Sequence, residues 1–153
     1  MRIHHTKTKG DLGVMAAALD LVKKGFIVCS PMTEHAPYDL IAERNGLMLR
    51  VQVKYRALTC GFIEVVFKTS WADRHGVHVS PIDKNEVDVF CIYCPNTERC
   101  YYLDPKLYRT AVRLRVEPTA NNQYGDVNWA KDFLDIPERF RHARQDSNLR
   151  TAL

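Results

Sequence analysis

Asn45-Gly46 constrains this chain more than any other feature. Asn-Gly between extended segments selects a two-residue turn whose twist matches that of paired strands, because both residues tolerate positive φ. With the loop fixed at 45 and 46, facing residues sum to 91. Leu47 to Arg56 then runs back along Tyr38 to Arg44, and Asp39 faces Gln52. Lys54 lies two residues on and projects from the same side, since strand side chains alternate with a period of two. One face of the hairpin therefore gathers a carboxylate, an amide oxygen and an ammonium, with the backbone carbonyl of Val53 between them.

The spacing predicts a helix over residues 9 to 25. Leu12, Met15, Leu19, Val22 and Phe26 recur at intervals of three and four, an apolar helical stripe. Thr8 is the expected cap, with Asp11 as a weak capping box, and Gly25 the expected stop. Phe26 to Ser30 reads as a short strand. After a turn at Cys60-Gly61, Phe62 to Ser70 reads as a third hairpin strand. Residues 71 to 86 are polar and read as a loop. Val87 to Cys94, Tyr101 to Asp104 and Val112 to Val116 read as strands, residues 121 to 125 as a loop. Val127 to Ile136 reads as a short helix with Trp129 and Phe133. The order implies an α/β fold with a mixed sheet and flanking helices. The 153 residues are expected to form one domain, with a charged, partly disordered tail from about residue 137.

The chain carries no apolar run long enough to span a bilayer, so no membrane segment is expected. MRIHHTKTKG lacks the apolar stretch of a signal peptide, and five cysteines are an odd number. Together these imply reduced thiols in a cytoplasmic protein. Net charge is +4, which is compatible with a nucleic-acid partner.

Chemically, the Asp39 face suits phosphodiester hydrolysis, which needs a hard cation, an activated water and a donor for charge developing on phosphate. Asp39, the Gln52 side-chain oxygen and the Val53 carbonyl are oxygen ligands of the kind Mg²⁺ takes, and Lys54 can orient water or neutralise phosphate. An Asp and a Lys on neighbouring strands also make ordinary surface pairs, and spacing alone leaves both readings open.

Lys9-Gly10-Asp11-Leu12-Gly13, Tyr38-Asp39-Leu40-Ile41, Val51-Gln52-Val53-Lys54 and Glu86-Val87-Asp88 follow one another in an order and spacing that resembles the PD-(D/E)XK nuclease superfamily, across roughly residues 7 to 104. The resemblance is closest to the small branch that includes a homing endonuclease of a cyanobacterial group I intron. It implies a restriction-endonuclease-like core, Mg²⁺ (or Mn²⁺) as cofactor, and double-stranded DNA as substrate. Matched by position, Asp39 falls on the family's metal-binding aspartate and Lys54 on its catalytic lysine. Gln52 stands where most members carry an acid and where the homing branch carries a glutamine. Relatives often place a glutamate at the position of Val14; Asp11, one helical step away, is the nearest substitute ligand and otherwise an acid favouring the helix N-terminus. The resemblance implies a site-specific endonuclease, with intron homing as the leading role. The alternatives are a restriction or structure-specific nuclease of the same superfamily, or a weakly active DNA-binding protein on a nuclease scaffold.

Expected phosphate contacts are Lys7, Lys9, Arg56, Lys68, Arg74 and the alternating Arg113 and Arg115. The ribbon of residues 47 to 70 is long enough to enter a major groove, with Lys68 and Thr69 outward. Cys91, Cys94, Cys100, His75 and His78 raise a zinc site, against which Cys91 and Cys94 point to opposite strand faces. A double-strand break requires at least two copies, a dimer or a tetramer, with the late apolar strands and the Trp129 segment as expected interfaces.

Overall fold

The computed structural model describes residues 5–121 and 125–141. Helix α1 (His5–Lys23) leads into strands β1 (Ile27–Cys29), β2 (Leu40–Arg44), β3 (Leu47–Tyr55), β4 (Phe62–Val66), β5 (Lys68–Asp73) and β6 (Gly76–Pro81). Strands β7 (Val89–Cys94), β8 (Arg99–Leu103), β9 (Ala111–Arg115) and β10 (Asn128–Trp129) follow, with 3₁₀ turns at Pro105–Leu107, Ala130–Phe133 and Glu138–Phe140. A five-stranded sheet runs β1-β2-β3-β7-β8, a three-stranded sheet β10-β9-β4, and β5 pairs with β6 alone. β3 and β7 are parallel while their outer neighbours are antiparallel, so the main sheet is mixed.

The hairpin register is the one the turn dictates: Leu40 faces Val51 and Arg44 faces Leu47, each pair summing to 91. Asn45 and Gly46 hold φ of 56° and 80°, the left-handed pair such a turn requires. α1 ends in a Schellman arrangement, with Gly25 at φ 83° and the Phe26 N–H donating to the Leu21 carbonyl at 3.0 Å.

Two apolar layers sandwich the main sheet. On one face, Ala17 and Leu21 of α1 pack on Leu49, Val51, Val89, Cys91 and Tyr102. On the other, Phe90, Ile92 and Cys94 meet Ile63, Val65, Val112 and Leu114 of the smaller sheet. Tyr102 is buried, and its hydroxyl donates to Asp20 of α1 at 2.5 Å.

Several sequence expectations change. The helix begins by His5, so Thr8 lies inside it rather than at its cap. Its covered face is Gly13, Ala17 and Leu21, whereas Leu12, Met15, Leu19 and Val22 are 50–69 % exposed. The period of the stripe was right and its side wrong, because small residues let α1 sit close on β3: a Cβ on Gly13 would lie 3.5 Å from Val53 and Tyr55. β4 pairs with β9 instead of extending the first hairpin, and the polar stretch taken as a loop is the β5–β6 ribbon. Val127 to Ile136 is a short strand and a 3₁₀ turn, not a helix. α1 is the one α-helix among the described residues, so the flanking helices reduce to a single layer. The charged tail beyond Arg141 and part of the 121–125 loop lie outside the described residues.

Candidate active site

Asp39 stands one residue before β2, where its N–H still donates to the Val51 carbonyl at 2.9 Å and extends the ladder. Its Oδ2 accepts from the Val53 N–H at 2.7 Å, which locks the carboxylate against β3. Leu49 and Val51 point to the α1 layer, so Gln52 and Lys54 project from the opposite face of the sheet. Leu40 also faces the α1 layer, which turns Asp39 to the side of Gln52 and Lys54. The hairpin thus brings the three residues together as the turn arithmetic requires.

Electrostatically, this is a half-buried pair of opposite charge. Burial raises the Asp39 carboxyl above its ordinary range, while the Val53 N–H and the Lys54 charge pull it back. Burial lowers Lys54 below the ordinary lysine range, helped by the Arg56 charge and resisted by Asp39. The Lys54 ammonium donates to the Lys68 carbonyl at 3.5 Å, at the start of β5. The Gln52 Oε1 is buried and accepts no hydrogen bond from the described residues. A buried acceptor left without a donor costs about 1–3 kcal/mol. A cation beside Asp39 would satisfy it, and the donor set of one carboxylate, one amide oxygen and a backbone carbonyl is the hard-oxygen kind that fits Mg²⁺ completed by water and substrate phosphate.

The other expected residues are spread more widely. Asp11 is exposed on α1, and no hydrogen bond or ion pair joins it to Asp39, Gln52 or Lys54. Val14 packs on the apolar layer beneath α1. Lys7 is exposed on α1. Lys9 and Arg56 border one groove of about 530 Å³ together with Tyr55, Thr59 and Glu64. Glu64 is held by Arg113 at 3.1 Å, directly across β4 and β9, so it is not added to the Asp39 cluster. Arg115 donates to the Cys60 carbonyl at 3.4 Å. Lys68 and Arg74 mark the two ends of β5 and its turn. The described residues hold no group of three or more His, Cys, Asp or Glu side chains placed for a metal; Cys91 and Cys94 lie in different apolar layers.

A clamp that spacing did not suggest steadies the site. The Arg50 guanidinium forks onto Asp88, Nε to Oδ2 and Nη2 to Oδ1 both at 3.0 Å, while the Arg50 N–H reaches Oδ2 at 2.8 Å. It fixes β3 beside β7 just ahead of Gln52. The two residues are 38 apart in sequence, and although Asp88 closes the Glu86-Val87-Asp88 run, nothing local pairs it with Arg50.

This fold, with an acid and a lysine on adjoining strands, is that of a nuclease. A family model described as PD-(D/E)XK endonuclease matches residues 4–136, and the chain belongs to that family. Among solved structures, the bacterial homing endonuclease I-Ssp6803I shares the fold. Its TM-score is 0.68 at 22% identity, over 97% of this chain and 99% of that one. No curated protein matches.

Proposed function

We propose that this chain is a Mg²⁺-dependent, site-specific endonuclease of double-stranded DNA that serves intron homing. The observation that carries the nuclease chemistry is the partly buried Asp39–Lys54 pair with the donorless Gln52 Oε1 on the same face. The homing role is supported by the likeness to I-Ssp6803I over nearly the whole of both chains. Asp39, Gln52 and the Val53 carbonyl would hold the cation, which when bound supplies Lewis acidity toward the phosphate and a more acidic water. Asp39 is kept in place by the Val53 N–H. Lys54, with its pKa lowered by burial, can orient the attacking water and donate to a phosphate oxygen as charge develops. Arg56 adds positive potential on the same side.

A double-strand break requires a second copy, and the exposed Leu12, Met15, Leu19 and Val22 face of α1 supports a homo-oligomer. The late strands suit this less well, since β7 and β8 are largely interior. A DNA-binding protein with weak cleavage is the second reading, favoured by the single carboxylate of the cluster and by Val14 facing the apolar layer. Cleavage of duplex DNA containing candidate intron-insertion sequences, with and without Mg²⁺, separates the two. Cutting by the wild type and not by Lys54→Ala supports the enzyme. Metal-independent binding without cutting supports the second reading.

A further inference from the structure

Among the described residues, β5 and β6 form an arm that pairs with no other strand. Two-stranded ribbons are marginal in water by themselves, and this one is stiffened along one face by side chains that contact each other. Thr69 and Ser80 share a hydrogen bond of 3.0 Å, Trp71 stacks on His78 at 5.2 Å, and Asp73 contacts His78 at 3.0 Å. The arm is rooted by Phe67, which is buried against Phe90 and bonds the backbones of Thr110 and Ile82. The opposite face carries Ser70, Ala72, Val77 and Val79 in register, and none of the described residues covers it: Val77 is 74 % and Val79 58 % exposed. Lys68 stands at the root of the arm and Arg74 at its tip. The Asp73 carboxylate is turned onto His78 and the His75 N–H.

Resting on the nuclease reading, we propose that this arm is the base-reading element of the protein. It lays its Ser70, Ala72, Val77 and Val79 face in the major groove, with Lys68 and Arg74 on flanking phosphates. The groove, roughly 12 Å wide, admits a two-stranded ribbon, and small apolar side chains meet thymine methyls there. Cations at both ends of an otherwise uncharged face suit a polyanion with an apolar floor. Six residues per strand span about 20 Å, which at 3.4 Å per step covers about six base pairs. The arm also begins where Lys54 bonds the Lys68 carbonyl, so the block it reads abuts the phosphate that is cut. The former ribbon candidate, residues 47 to 70, cannot serve, because β3 is enclosed between β2 and β7.

Selection from a randomised duplex library tests this, with cleavage mapped in the enriched sequences. The wild type, a Val77→Ser/Val79→Ser double variant and Arg74→Ala are compared, each checked for an unchanged thermal midpoint. The double variant is expected to lose base preference about tenfold over one contiguous block of about six pairs next to the cut, and to keep it elsewhere. Arg74→Ala is expected to weaken all sequences alike and reduce the salt slope by about one. Identical base preferences in the double variant, or a loss far from the cut, overturn the arm while leaving the nuclease in place. A change in sedimentation without a change in preference overturns it too, and assigns the face to a second copy. A wild type that enriches no sequence removes both readings.

Discussion

The behaviour of Asp39 is set by burial and by two neighbours, Val53 and Lys54, acting against it. Because burial raises its carboxyl and Lys54 lowers it, removing the lysine charge moves it further up. The proposed cation binding needs the ionised form, so acidification is expected to weaken it as pH falls through a midpoint above that of an ordinary aspartate. Lys54→Met is expected to shift that midpoint to higher pH, read by titrating Mn²⁺ binding in the absence of DNA. A midpoint unmoved by the substitution would separate Lys54 from Asp39. Asp88 works the other way. Burial pushes it up, but the Arg50 guanidinium and N–H together outweigh this and leave it depressed. A depressed carboxyl contributes stability above its unfolded value, and that contribution is lost as pH falls through the folded value. Asp88→Asn is expected to cost about 1–2 kcal/mol near neutrality. Urea unfolding of both proteins should show the gap closing as the pH drops from about 5 towards 3.

At the level of elements, what was legible in the sequence was what is decided locally. Asn45-Gly46 sets its own backbone and hence the register that joins Asp39 to Gln52. Gly46→Ala should therefore cost about 1 kcal/mol and lower cleavage through the same change, measured as unfolding and activity on one preparation. The helix period was legible but its covered side was not, because Gly13 and Ala17 carry too little apolar surface to mark a buried face. The arm read as a loop because its strands are exposed on both faces and its apolar alternation is short, confined to Val77 and Val79. The partners of β4 and β7 depend on distant pairings that no local pattern announces. On α1, nothing lies within 4 Å of a Cβ placed at Gly10. Gly10→Ala is expected to raise stability by about 0.5–1 kcal/mol, readable as a higher denaturation midpoint.

For the whole molecule, the proposed homo-oligomer ties the stripe on α1 to the proposed double-strand break. Leu12, Met15, Leu19 and Val22 follow one another at steps of three, four and three, the spacing of a helix seam. Met15→Glu with Leu19→Glu is expected to reduce the sedimenting species to a monomer and convert linearisation of a target plasmid into nicking. A double variant that still linearises the plasmid as an oligomer would move the interface elsewhere. The candidate chemistry rests on residues of β3 and its hairpin, while the proposed reading element hangs from a separate pair of strands. Family resemblance was thus informative for the first and silent about the second.

β3 lies in the middle of the five strands, bonded to β2 on one edge and to β7 on the other. Its amides should be among the last to exchange with deuterium, while those of β5 and β6 exchange early. Such a chain would hold the proposed reacting groups Gln52 and Lys54 on its slowest-opening strand and could exchange its arm for another without disturbing them, so new target preferences could arise by altering residues 68 to 81 alone.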